Sequence, residues 1–156
     1  MRIRRAEAKD TEKILDLLSQ VLEIHATIRP DIFVSGTTKY GTAEIAELLG
    51  NDEAPIYVAV DDGDAVLGYA MCRVREQPAE DRMVRFKSLF IDDLCVDEAA
   101  RGAGVGTMLF ENVKNEARRL GCYEVTLVVW DGNDSAERFY EKMGMKTKER
   151  MLEYIL

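Results

Sequence analysis

Arg101-Gly102-Ala103-Gly104-Val105-Gly106 stands between a β-prone stretch ending in Leu94-Cys95-Val96 and a run in which Val105, Leu109, Val113 and Leu120 recur at helical spacing. A glycine-rich turn at this junction lets the backbone adopt positive φ and lets a ligand approach the main chain closely. The amide N–H groups at the start of the following helix point outward at the positive end of its dipole. They favour an anion such as a pyrophosphate. Arg101 can add a charge-assisted contact. A tight turn with a solvated arginine would use the same residues. Two other phosphate loops do not match: the dinucleotide fingerprint needs GxGxxG where this chain has GxGxG, and the Walker loop needs a lysine that Gly106-Thr107 lacks.

Upstream, Arg2 to Arg5 read as a strand, and Asp10 or Thr11 offers an N-cap to an amphipathic helix carrying Ile14, Leu17, Leu18, Val21 and Leu22. That helix should stop before Arg29-Pro30. A shorter helix fits Thr42 to Leu49. Ile56 to Val60, the turn Asp61-Asp62-Gly63-Asp64 and Val66 to Val74 read as a β-hairpin. Gln77-Pro78-Ala79-Glu80-Asp81 is a polar loop leading to a long strand that ends Ile91-Asp92-Asp93-Leu94-Cys95-Val96. Downstream, the helix after the loop closes near Gly121, and the apolar run Val125 to Trp130 suggests a strand covered on both faces. Asp134 to Glu137 has capping-box spacing and opens a helix that ends at Gly144, and Met145 to Ile155 is expected as a last strand. This order predicts an α/β (α+β) fold with a mixed, mostly antiparallel sheet and helices on both faces.

A length of 156 residues suits one domain spanning 1–156. The start of the chain shows no signal-peptide core and no apolar run approaches the ~20 residues of a membrane span, so a cytoplasmic location without membrane association is expected. The net charge of −8 speaks against a nucleic-acid partner and tilts slightly towards a cationic one. Cys72, Cys95 and Cys122 show no pairing pattern, which supports neither a disulfide framework nor a metal site.

With its loop flanked in this way, the chain resembles the GNAT superfamily of acetyl-CoA-dependent N-acetyltransferases, whose pyrophosphate loop reads Arg or Gln, x, x, Gly, x, Gly or Ala. Arg101 to Gly106 fits that pattern in full. Leu94-Cys95-Val96 ends five residues before the arginine, and Asn133, Ala136, Phe139-Tyr140-Glu141-Lys142 and Gly144 follow in the matching order. Gly36 to Ala54 carries no matching motif. The resemblance implies acetyl-CoA as donor cosubstrate, no metal, and two strands that splay to admit the pantetheine arm. It implies cofactor contacts from Leu94, Cys95 and Val96, from Arg101, Gly102, Ala103, Gly104, Val105, Gly106 and Thr107, and from Asn133.

An amine is mostly protonated near neutral pH and must lose a proton before it attacks, so a carboxylate is expected near the acceptor. Asp92 and Asp93 lie where the resemblance places an acid. Strand alternation would send their side chains to opposite faces, leaving one to meet the substrate and the other to support the fold. The resemblance makes Tyr140 the acid that protonates the departing thiolate; its alternative is a packed aromatic beside Phe139. Cys95 need not be a nucleophile, because a backbone N–H in that strand can serve the developing oxyanion. His25 and Arg29 to Phe33 fall on the implied acceptor wall, where Ile32 and Phe33 equally suit the core. The resulting expectation is an enzyme acetylating a primary amine of a small molecule or peptide. The alternative is a non-catalytic acyl-CoA sensor, and a homodimer pairing through the last strand is compatible with either.

Overall fold

The computed structural model describes residues 1–78 and 80–156, so Ala79 of the expected polar loop lies outside the described residues. Strands β1 (Arg2–Arg5), β2 (Ile56–Val60), β3 (Val66–Glu76), β4 (Lys87–Val96) and β5 (Glu124–Thr126) form one sheet in the order β1-β2-β3-β4-β5. All neighbours are antiparallel except β4 and β5, which are parallel. Helices α1 (Thr11–Ile28) and α2 (Thr42–Leu49) precede β2, α3 (Val105–Arg119) crosses from β4 to β5, and α4 (Asp134–Lys142) follows. A parallel pair needs such a crossover.

Ile14, Leu17, Leu18 and Ile45 from α1 and α2 pack with Val58, Tyr69 and Met71 on one face of the sheet. Val105, Leu109, Phe110 and Val113 of α3 pack with Ala59, Cys72, Leu89 and Ile91 on the other, joined at its margin by Phe139 and Tyr140 of α4. Helices therefore cover both faces, as expected. The strand buried on both sides is β2, whose five residues are all buried.

Four expectations are corrected. The run Val125 to Trp130 is an edge: only Glu124–Thr126 is strand, each of these residues is half-buried, and Val128 is exposed. Asp10 does not cap α1, because its carboxylate is turned inward to Arg4 at 2.7 Å and to the Glu7 amide at 2.8 Å. The cap of α4 is Asn133, one residue before Asp134; its Oδ1 accepts from the Ala136 N–H at 3.3 Å. Met145 to Ile155 forms no strand, since residues 146–156 make no backbone hydrogen bond to the sheet.

Asp10, only 3% exposed, joins β1 to the start of α1 through Arg4, which Asp64 also holds at 3.0 Å. Asp10→Ala strands Arg4 at the sheet edge with one partner fewer. Breaking a buried pair costs 3–5 kcal/mol, and the retained Asp64 reduces this to about 2 kcal/mol. In a chain of this size that lowers Tm by roughly 4–8 °C, measurable by calorimetry, and an unchanged Tm would contradict the assigned role.

Candidate active site

The pairing of β4 with β5 stops at Phe90 and Thr126, whereas β4 stays paired with β3 as far as Val96. From Ile91 onward, β4 turns an unpaired edge to a gap, with residues 127–130 leading away on its far side. The departure coincides with a bulge: Met71 faces Asp93 and Cys72 faces Ile91, so Asp92 is an extra residue in β4. A bulge bends its strand and re-aims the neighbouring side chains.

The bulge also overturns the expected alternation. Asp92 accepts a hydrogen bond from the Tyr40 hydroxyl at 2.6 Å, pairs with Lys39 at 3.0 Å and lies 3.7 Å from Arg73. Asp93 accepts from the Tyr69 hydroxyl at 2.8 Å. Tyr40 and Tyr69 both belong to the layer under α1 and α2, so the two carboxylates meet their partners on the same face. Their electrostatics differ. Burial alone would raise the Asp92 carboxyl, but the hydrogen bonds from Tyr40 and Lys39 outweigh it and hold the group below its ordinary value. Burial dominates at Asp93 and keeps its carboxyl raised despite Tyr69. Asp93 is the carboxylate with the stronger appetite for a proton.

At the mouth of the gap, a short 3-10 turn over Glu98–Ala100 leads into the glycine loop, and α3 begins after Gly104. Gly102 and Gly104 have φ of 79° and 83°, and a Cβ at either would meet no atom within 4 Å. Among the described residues, the N–H groups from Gly102 to Thr107 donate to no acceptor in the chain; the first bond of α3 runs from Met108 to Gly104. Arg101 Nε donates back to the Val96 carbonyl at 3.3 Å. The result is an open cradle of unspent amides at a helix start, which fits a diphosphate. Gly106 is different, because a Cβ there would press on the Phe139 ring at 3.3 Å.

Tyr140 packs edge-on against Phe139 and tilts against Phe110. Its hydroxyl has no hydrogen-bond partner among the described residues. Burial first and the nearby Asp93 charge second raise its pKa, so it stays protonated at neutral pH. Packing and a free hydroxyl therefore coexist at one residue. Cys95 is 5% exposed and its thiol is pushed up to about 12, by burial and then by Asp93. It is a protonated core residue, unsuited to nucleophilic work. Asn133 spends its carbonyl oxygen on the α4 cap, and its NH₂ has no hydrogen-bond partner among the described residues.

Beyond Asp92 the wall is aromatic: Phe33 lies 5.1 Å from both His25 and Trp130. Burial and then Lys39 lower the His25 pKa, leaving a neutral imidazole at pH 7. Ile32, 45% exposed, seals no core. Lys39, Tyr40, Tyr69, Arg73 and Trp130 belong to this site but were not anticipated. Lys39 and Tyr40 fall in a segment without any motif, and the bulge that gathers the rest leaves no mark in a single sequence.

A family profile, the acetyltransferase (GNAT) family, matches residues 18–145. The chain belongs to this family. It is 30% identical over 150 residues to the peptidyl-lysine N-acetyltransferase YjaB of Salmonella typhimurium, an alignment covering 95% of this chain and 85% of that one. A second relative, glucosamine 6-phosphate N-acetyltransferase of Trypanosoma brucei brucei, is 39% identical over 62 residues, and this chain spans only 40% of its length. The crystal structure of a mutant of the BH1408 protein from Bacillus halodurans superposes with a TM-score of 0.95 at 31% identity, covering 100% of this chain and 99% of that one. Among the described residues, no helix is long and apolar enough to cross a membrane.

Proposed function

We propose that this GNAT chain transfers the acetyl group of acetyl-CoA directly to a primary amine. The observation that supports it most is the alignment of an unspent amide cradle, Gly102 to Thr107, with a gap whose margins carry the raised carboxyl of Asp93 and the free hydroxyl of Tyr140. The cradle and Arg101 would hold the diphosphate, and the open edge of β4 at Leu94 to Val96, with the Asn133 amide, would align the pantetheine arm. Asp93, directly or through water, takes a proton from the ammonium. The freed amine attacks the thioester carbonyl, the oxyanion is met by a backbone N–H of β4, the carbon–sulfur bond breaks as Tyr140 gives its proton to the departing thiolate, and the proton still carried by the acylated nitrogen passes through water to the tyrosinate, leaving a neutral amide and restoring Tyr140. Asp92 is a positioning residue: pinned by Lys39, Tyr40 and Arg73, it fixes the loop that walls the acceptor space.

The test is acetylation of a panel of amines, including lysyl peptides, amino sugars and polyamines, read by thiol release and product mass. Amine-dependent turnover is expected with at least one class, and none with any class would contradict the proposal. With the best acceptor, kcat should fall at low pH, because below its pKa the Asp93 carboxyl keeps its proton and cannot accept another. That limb lies above the ordinary carboxylate value of 3.8, since the group is raised. Asp93→Asn should abolish the limb and lower kcat at least about tenfold, a floor set below the ~10²-fold to 10⁴-fold typical of general-base catalysis because water can partly substitute. An acid limb that persists unchanged in Asp93→Asn would remove this residue as the base.

A further inference from the structure

Lys39 lies in the loop between α1 and α2, whose residues 30–41 form no helix or strand. Its ammonium stands 3.0 Å from the Asp92 carboxylate, donates to the Asp92 main-chain carbonyl at 3.1 Å and lies 5.6 Å from the centre of the Tyr40 ring. The same charge acts on Asp93 and on His25, so it stands within reach of both the base and the aromatic wall. A carboxylate, a carbonyl and a ring face are the surroundings that any ammonium seeks. Among the described residues, Lys39 is the lysine that pairs with Asp92; Arg73, the other cation there, never sheds its proton. The Lys39 side chain is 43% exposed on a flexible four-carbon stem, and Asp92 keeps Tyr40 and Arg73 when the lysine swings away.

We infer, resting on the proposed acetyl transfer, that Lys39 occupies the seat of the acceptor ammonium and is itself acetylated there, in cis, when acetyl-CoA is bound and no other amine is present. The atoms balance as they do for a free acceptor. Asp93 takes one proton from the Lys39 ammonium, directly or through water. Nζ then bonds to the acetyl carbon, the carbon–sulfur bond breaks as Tyr140 protonates the thiolate, and the second proton passes from the acylated nitrogen through water to the tyrosinate. The products are a neutral amide on Lys39, free CoA and one proton that Asp93 releases to solvent. The charge of the lysine disappears, and with it the competition between the chain's own ammonium and an incoming one. An amine already tethered at the site needs no bimolecular encounter, so its acetylation does not depend on protein concentration.

The test incubates the full chain with acetyl-CoA and no added amine, and follows acetyl groups on each lysine by peptide mass spectrometry. Lys9, exposed beside Asp64 at the turn between β2 and β3, reports uncatalysed acetylation. Lys39 should gain its acetyl group at least about tenfold faster than Lys9, with one rate constant at every protein dilution, and should lose that advantage in Asp93→Asn and Tyr140→Phe. Acetylation no faster than at Lys9, a rate that rises with protein concentration, or an advantage that survives both substitutions overturns the inference. The comparison of Lys39 with Lys9 is made within the unaltered chain, so it decides even where a variant fails to fold. Turnover of an amine from the panel by a chain whose Lys39 stays unmodified sinks self-acetylation and leaves the acetyl-transfer reading standing.

Discussion

Gly104→Asp will fold and will lose CoA affinity by about 100-fold. Gly104 sits at φ 83°, a left-handed conformation that aspartate tolerates better than most residues, and its Cβ would enter open space, so the core under α3 is untouched. The new carboxylate instead stands among the amides that the diphosphate needs. Losing two charge-assisted hydrogen bonds at about 1.5 kcal/mol each corresponds to roughly a hundredfold in Kd, before any charge repulsion is counted. Titration calorimetry with CoA gives the affinity and circular dichroism the fold. Gly104→Ala separates the two contributions: it carries the backbone strain without the charge and should lose much less. Wild-type affinity in Gly104→Asp would mean that the diphosphate is held elsewhere.

Tyr140→Phe should cut kcat by at least about tenfold, and by as much as ~10²-fold to 10⁴-fold if no water replaces the hydroxyl, while CoA affinity stays close to wild type. The ring contacts with Phe110 and Phe139 survive the change, and the hydroxyl has no protein partner to strand, so stability should hold. The raised pKa keeps the phenol protonated when the thiolate departs. A rate loss without an affinity loss marks a group used in the transition state. Equal losses in both would make Tyr140 a binding residue, and an unchanged kcat would remove it from the mechanism.

Local signals made much of this fold legible. Helix α2 was expected over Thr42 to Leu49 and has those bounds, and the halt of α1 before Pro30 followed from proline sterics. Glycines requiring positive φ marked the loop and the ends of α3 and α4. The misses share a cause: they depend on what a segment meets across space. Val125 to Trp130 has the composition of a buried strand, yet the bulge at Asp92 pulls β4 away after Thr126 and leaves the rest at an edge. Met145 to Ile155 has strand composition but pairs with no strand among the described residues. Asp10 looks like a helix cap, but the stronger attraction of Arg4 takes its carboxylate. At the site, Asp92 and Asp93 were named as a pair, but their different surroundings come from Lys39 and Tyr40 of the loop before α2 and from Tyr69 and Arg73 of β3, two segments distant in sequence.

If the amides from Gly102 to Thr107 hold acetyl-CoA, a ¹H–¹⁵N correlation spectrum of the protein titrated with acetyl-CoA shows it most directly. The predicted result is a saturable shift centred on Gly102, Gly104, Gly106 and Thr107, extending to the Leu94 to Val96 edge and absent with NADH. Unmoved resonances across the loop at saturating acetyl-CoA would contradict it.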